Sequence, residues 1–271
     1  MTFHYYGSFD RGGVLMDLMK RLYAAIEMAQ EAGKFISAAR LDASKIGFKR
    51  DLADPVTWYD KEAQRMIIEY LKRLFPEDCF HAEEGDVRSE EMNRVWIIDP
   101  IDGTVNYIAR IPFYCVSIGY VRNGRPVLGV VYHPSTNETF YALKGNGAFL
   151  NGKPISVSKI SNPMEAIITL SYHHGRTAEL VARMESKVRR VRMYGTAALQ
   201  AAYVAAGRTE GYITQDTNVW DVAAAQIIVE EAGGMVTDWE GKGVEWPEGA
   251  LIFSNGIMHE LLLKWLRETE E

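Results

Sequence analysis

The sequence predicts a layered α/β fold (α+β in its first half), and three observations predict it. Two amphipathic helical stretches open the chain, short alternating strands fill its middle, and strands alternating with helices fill the remainder. At 271 residues the chain can bury a large core, as one big domain or two small ones. No fixed-period repeat or low-complexity segment interrupts it. The change of pattern near residue 155 reads as a change of layer, an antiparallel half over 16–155 followed by an α/β half over 156–271.

Residues 1–15 carry no helical period and read as an N-terminal extension before the fold. Leu18, Leu22, Ala25, Ile26 and Ala29 then recur at helical spacing, which predicts a helix from Leu15 to about Arg40. Ser44 to Asp54 is polar and mixed in charge, and reads as a mobile loop. Val56-Thr57-Trp58-Tyr59-Asp60 leads into a second helix carrying Ala63, Met66, Ile67, Tyr70, Leu71 and Leu74, with Asp60 where an N-cap belongs. Cys79 to Ala82 is a short strand running into Glu83-Glu84-Gly85. Side chains of neighbouring residues leave a strand end in opposite directions, so at most one of the two glutamates is expected to serve a given site. Val95 to Ile98 is an apolar strand, and Pro100, lacking an N–H, is expected to stop it.

Beyond this point Val116, Ile118 and Tyr120 alternate with small residues, and Asn123-Gly124 signals a hairpin. Strands at 127–132 and 138–143, with turns at 145–147 and 151–152, complete a meander. The second half reads as strand 166–170, helix 177–185, strand 191–194, helix 197–206, strand 211–214, helix 221–232, strands 234–237 and 251–254, and a last helix burying Leu261, Leu262, Trp265 and Leu266.

Several function classes are disfavoured. A net charge of −6 advertises neither nucleic-acid nor anionic-membrane binding. Cys79 and Cys115 stand in apolar strands without metal spacing and read as buried free thiols. No apolar run approaches the roughly 20 residues of a membrane span. The first residues lack the pattern of a secretory signal, so a cytoplasmic location is expected. There is no G-x-S-x-G, Walker A or G-x-G-x-x-G motif, and His173-His174 has no H-E-x-x-H context.

The chemistry concentrates in Val95 to Tyr107, V-W-I-I-D-P-I-D-G-T-V-N-Y. Asp99 and Asp102 flank a proline at the end of an apolar strand, beside a glycine that lets backbone approach a ligand. Alone, this is an Asp-Gly turn with Asp102 capping a helix, and Asp221 in W-D-V-A-A-A reads equally well as a helix cap. Together with Glu83 these acids can converge. Such a cluster repels itself unless a cation is bound, and oxygen-only ligation favours Mg2+ over Zn2+. Gly195-Thr196-Ala197 opens a small-residue helix, either as a second anion site with free N–H groups or as an ordinary cap.

Trp96 to Tyr107 resembles the first signature of the inositol monophosphatase family. Trp220-Asp221-Val222-Ala223-Ala224-Ala225, followed by Glu231-Ala232-Gly233-Gly234, resembles its second. Glu83-Glu84 and Val56-Thr57 with Asp60 stand in matching order, so the likeness runs from Met16 onward. It implies an α-β-α-β-α sandwich, a homodimer, and hydrolysis of a small phosphorylated sugar or polyol with two or three Mg2+ ions. Glu83, Asp99, the Ile101 carbonyl, Asp102 and Asp221 match the family's metal ligands. Glu83 and Thr104 match the pair that positions water, with Asp60 supporting Thr104. Asp102, Gly103 and Thr104 match the phosphate cradle, and Lys49 falls where the family's mobile loop carries a lysine near the site; Gly195, Thr196 and Ala197, with Asp221, are expected on the substrate side.

The sequence departs from that pattern seven residues before Asp221. There the inositol-specific members carry an acid and this chain has Thr214; Ala225 also stands where glycine is frequent. The resemblance therefore leaves inositol 1-phosphate and fructose 1,6-bisphosphate both open, with Tyr172, Arg176 and Arg192 as candidate contacts. A 3′-phosphonucleotide substrate fits less well, because the chain is short for a dedicated nucleotide phosphatase of this kind and shows no basic or aromatic base-stacking cluster. A non-catalytic phosphate-ligand binding protein on the same fold fits less well because the whole acidic set and Thr104 are present.

Overall fold

The computed structural model describes residues 11–40, 43–49, 55–85 and 93–268. Most of the expected extension, and part of the expected loop at 44–54, lie outside these. The first helix, α1 (Arg11–Ser37), starts earlier than its periodicity suggested, so residues 11–15 are helical. It packs with α2 (Trp58–Leu74) on one face of a seven-stranded sheet. That sheet comprises β3 (Cys79–Ala82), β4 (Arg94–Asp102), β5 (Cys115–Arg122), β6 (Arg125–His133), β7 (Glu138–Leu143), β8 (Ala148–Leu150) and β9 (Lys153–Ile155), in sequence order. The β3–β4 pair is parallel and the rest is an antiparallel meander. Ahead of it, β1 (Ile46–Phe48) and β2 (Pro55–Thr57) form a small antiparallel pair where a loop was expected. The short helix α3 (Thr104–Ile108) follows β4 directly.

The second sheet has five strands in the order β11-β10-β12-β14-β13, built from β10 (Ile167–Leu170), β11 (Arg190–Arg192), β12 (Gly211–Thr214), β13 (Met235–Asp238) and β14 (Leu251–Ser254). Between the two sheets lie α5 (Ala197–Ala205) and α6 (Val219–Glu231); α4 (Thr177–Glu185) and α7 (His259–Arg267) cover the outer face of the second. The layers thus run α-β-α-β-α. Among the described residues no helix is long and apolar enough to cross a membrane.

The central layer explains the composition of α6. It is covered from both sides, so Val222, Ala223, Ala224, Ala225, Ile227, Ile228 and Val229 are all buried, with no polar stripe. The approach is close because Gly119 and Gly129 face each other across β5 and β6. A Cβ on Gly129 would lie 2.2 Å from the Ala224 carbonyl oxygen, and one on Gly119 would lie 3.1 Å from the Ala224 nitrogen. The glycine pair is the trough in which the helix carrying Asp221 rests.

A charged group is buried on the opposite side of the same sheet. Arg21 of α1 is fully enclosed, its Nε donating to Asp78 at 2.8 Å, and its guanidinium lies over the Phe75 ring at 4.3 Å. Trp96 Nε1 and the Tyr120 hydroxyl also donate to Asp78, so the ion pair is held by additional hydrogen bonds.

Three local expectations are corrected. Pro100 does not stop its strand: β4 runs on to Asp102 through an irregularity between Asp99 and Asp102, the kind of place where a sheet accepts a proline. Asp60 is not the N-cap of α2 but its third residue, the cap being Thr57 in a reciprocal capping box. Asp221 likewise is the third residue of α6, behind the cap Asn218.

Candidate active site

The irregular end of β4 turns both aspartates to one side. Asp99 accepts the Ile101 N–H at 3.0 Å, closing the turn around Pro100. Gly103 follows with φ of 93°, a left-handed conformation that suits glycine, and it is this residue rather than Asp102 that caps α3. A Cβ there would come within 2.6 Å of the Thr196 side chain, so the glycine also lets the two halves of the chain meet.

Asp102 has a different task from the local cap expected of it. Its two oxygens accept the backbone N–H groups of Ala197 (3.0 Å) and Ala198 (2.8 Å), so it caps α5 from across the molecule. The Ala197 N–H expected to be free for a ligand is therefore already occupied. The Thr196 hydroxyl is buried and has no hydrogen-bond partner among the described residues. Asn106 adds a second tie, its Nδ2 donating to the carbonyls of Phe113 and Tyr194.

Thr104 and Asp60 meet as expected. The Thr104 hydroxyl lies 3.1 Å from Asp60 Oδ1 and 3.0 Å from the Ile101 carbonyl. Asp60 uses its other oxygen on Thr57, from the backbone N–H at 2.8 Å and the hydroxyl at 2.5 Å. One carboxylate thus joins the start of α2 to the end of β4, and burial raises its pKa. Asp221 accepts from Asn218 N–H at 2.8 Å and from the Thr217 hydroxyl at 3.0 Å, both through Oδ2.

Glu83 follows β3, and its N–H donates to the Ile98 carbonyl at 3.1 Å, which sets it beside the end of β4. Both glutamates serve one partner here, contrary to the alternation argument: the Lys49 ammonium lies 2.7 Å from Glu83 Oε1 and 2.5 Å from Glu84 Oε1. The chain has left the strand and entered a turn at this point, so strict up-and-down alternation no longer applies.

The electrostatics tie the acids together. Burial, and then the charges of Glu83, Asp102 and Asp221, hold the Asp99 carboxyl well above the usual carboxylate range. Burial and Asp221 push Asp102 up to about 7, against the opposing pull of the two N–H groups it accepts. Burial, with Glu83 behind it, pushes Asp221 up to about 6. A cation is the missing stabiliser of such a group. Glu83 Oε2 is buried without a hydrogen-bond partner, and the donors are all hard oxygens, so the residues fit Mg2+. In the described arrangement, however, no three His, Cys, Asp or Glu side chains stand close enough together to hold a metal ion.

Beside the acids opens a cavity of about 420 Å3. Asp102, Asp221, Gly195, Thr196, Ala197 and Tyr172 line it, as expected, together with Ser171, Gln200, Tyr212, Thr214, Asp216 and Thr217. Thr214 is uncharged and its hydroxyl donates to the Asp216 carbonyl, and the exposed Asp216 is the acid nearest to it in sequence. Arg176 and Arg192 do not line the cavity: the Arg176 carbonyl accepts from Gln215, and Arg192 lies exposed on the edge strand β11. Sequence reasoning missed Ser171, Gln200, Tyr212 and Asp216. None carries a local signal, because they meet only at the ends of β10, β12 and α5.

The model of the inositol monophosphatase family matches residues 17–271. A relative named fructose-1,6-bisphosphatase/inositol-1-monophosphatase, from Thermotoga maritima, is 43% identical over 257 residues, spanning 93% of this chain and 98% of its own. The solved structure of an IMPase from Thermotoga maritima superposes with a TM-score of 0.87 at 42% identity, covering 92% of this chain and 97% of the other. Another, described as an IMPase/NADP phosphatase complexed with Mg2+ and phosphate, superposes at 0.82 with 27% identity, covering 94% and 97%. With its two aspartates on the kinked β4, its buried α6 and its matching length, the chain belongs to the inositol monophosphatase family.

Proposed function

We propose that the protein is a Mg2+-dependent phosphatase of small phosphate monoesters such as inositol 1-phosphate, acting also on fructose 1,6-bisphosphate. The observation that carries this reading is the set of acids at the ends of β3 and β4 and the start of α6, with Asp102 and Asp221 lining an open cavity, Glu83 tied to the end of β4 through the Ile98 carbonyl, and Asp99 closing the turn between them. Glu83, Asp99, the Ile101 carbonyl, Asp102 and Asp221 would hold two or three ions. When bound, Mg2+ neutralises the substrate phosphate and makes water a better nucleophile.

The chain's own residues have positioning work. Thr104 has one hydroxyl proton, shared between Asp60 and the Ile101 carbonyl as acceptors, which leaves its oxygen lone pairs to accept from a water molecule. Glu83, the carboxylate that the family resemblance pairs with Thr104, would accept the proton of that water. Asp60 fixes the Thr104 hydroxyl, and Gly103 and Thr104 offer backbone N–H groups to the phosphate. No side chain is phosphorylated along this route, and positioning with charge neutralisation suffices for phosphoryl transfer. The family likeness and the name of the Thermotoga maritima relative support the bisphosphate as a second substrate, and the uncharged Thr214 agrees with a broad preference. A homodimer, a cytoplasmic location and a catalytic domain over 16–271 belong to the same reading.

The deciding experiment is phosphate release from inositol 1-phosphate, fructose 1,6-bisphosphate and 3′-phosphoadenosine 5′-phosphate, with and without Mg2+. Release from the first two, lost on chelation, is expected. Metal-independent turnover, or turnover of the nucleotide alone, contradicts the proposal.

The raised carboxyl pKa values add a pH dependence. Asp102 at about 7 and Asp221 at about 6 are held above their ordinary values, so between about pH 4 and about pH 7 the folded, ion-free protein binds more protons than the unfolded chain. Ion-free stability therefore falls as pH rises through that window. Metal binding needs the ionised carboxylates, so the rise in melting temperature on adding Mg2+ is expected to be larger at about pH 7.5 than at about pH 5.5. Scanning calorimetry at the two values checks this, and an equal or reversed shift contradicts it.

A further inference from the structure

Lys49 places one ammonium on two carboxylates, 2.7 Å from Glu83 and 2.5 Å from Glu84. Among the described residues no other lysine or arginine pairs with Glu83, Asp99, Asp102 or Asp221. We propose that Lys49 is a built-in counter-cation of the metal site, which a divalent ion must displace from Glu83, so that Lys49 sets the affinity of the site for Mg2+. The inference rests on Glu83 being a metal ligand, as proposed above.

Three observations carry it. The pair is sheltered, with side-chain exposures of 24% for Lys49, 20% for Glu83 and 3% for Glu84, so solvent screens it less than a surface ion pair. Glu83 has one oxygen turned to the ammonium while the other, Oε2, is buried without a partner. Among the described residues the acids as they stand do not gather three to an ion, while Glu83 Oε1 lies 2.7 Å from the Lys49 ammonium.

Glu84 makes the exchange feasible. It is not among the expected ligands, yet it holds the same ammonium, and its N–H is fixed by Gln64 at 2.8 Å. When an ion takes Glu83, the ammonium still has Glu84 as a partner. In the exchange Glu83 trades a monocation for a dication, and Lys49 goes from two carboxylates to one. The backbone of Lys49 is held as well, since it directly follows β1, which pairs Phe48 with Pro55 of β2.

The test is isothermal titration of MgCl2 into the full-length, metal-free protein without substrate, using wild type, Lys49→Met and Lys49→Arg. Circular dichroism melting of each variant verifies the fold. Lys49→Met, which removes the competing charge but keeps the chain length, is expected to bind Mg2+ about tenfold more tightly. Lys49→Arg, which keeps the charge, is expected to bind no more tightly than wild type. Wild-type or weaker affinity in Lys49→Met, with Mg2+ uptake by the wild type, overturns this inference alone. Absence of uptake by the wild type overturns the metal reading and this inference with it. Equal tightening in the arginine variant also overturns it, because the effect would then not follow the charge.

Discussion

Asp99→Asn is expected to lower phosphate release by at least about 10²–10³-fold while raising the melting temperature of the ion-free protein. The two effects have one origin. Asp99 is buried beside Glu83, Asp102 and Asp221, and its pKa is held well above the usual range. Its ionised form therefore costs stability in the folded state, and that cost is fully present once the pH exceeds the folded pKa. Asparagine keeps the shape and retains an oxygen for the Ile101 N–H, now 3.0 Å from Oδ1, but carries no charge. Ion-free repulsion is relieved, and so is the attraction for magnesium. Activity and thermal unfolding measured on one preparation check the pair. Near-normal turnover removes Asp99 from the metal site, and lost activity with a lowered melting temperature assigns it a structural role instead.

Gly129→Ala is expected to destabilise the protein by about 3 kcal/mol or more and to weaken Mg2+ binding in whatever fraction still folds. The added methyl would meet Ala224 backbone atoms, its carbonyl oxygen at 2.2 Å and its Cα at 2.7 Å. Backbone cannot rotate aside as a flexible side chain can, so either β6 or α6 must shift. Asp221 lies one turn from Ala224 on the same helix, so a shift of α6 moves a proposed ligand. Urea unfolding and metal titration of the variant check this, and a loss below about 1 kcal/mol means that the sheet yields without cost.

The acids were legible in the sequence because they lie in two compact segments, Asp99 to Thr104 and Trp220 to Ala225, whose residue types suit one chemistry. Layered α/β packing followed from the change of pattern along the chain, and the order of five layers only from the family resemblance. Helix starts were less legible. Asp60 and Asp221 read as caps, yet Thr57-x-x-Asp60 and Asn218-x-x-Asp221 are capping boxes in which the acid is the third helical residue. That spacing was present in the sequence and was the signal to use. Pro100 misled for a different reason: a proline argues against a regular ladder, and β4 accommodates it by being irregular there. Contacts between distant segments had no local trace. Asp102 capping α5, Lys49 bridging two glutamates, and Asp216 beside the cavity all depend on how the layers stack.

The cap that Asp102 supplies to α5 joins groups 95 and 96 residues apart in the chain. Local structure cannot bring them together early, because closing so long a loop costs entropy before any contact compensates for it. The amides of Ala197 and Ala198 can gain protection only once both sheets have enclosed the central helices. In a pulsed hydrogen-exchange refolding experiment they should therefore be among the last to become protected, well after the amides of the β5–β6 hairpin. The candidate active site is then a product of the final folding event, and recovery of the proposed activity is a clock for completion of the native state.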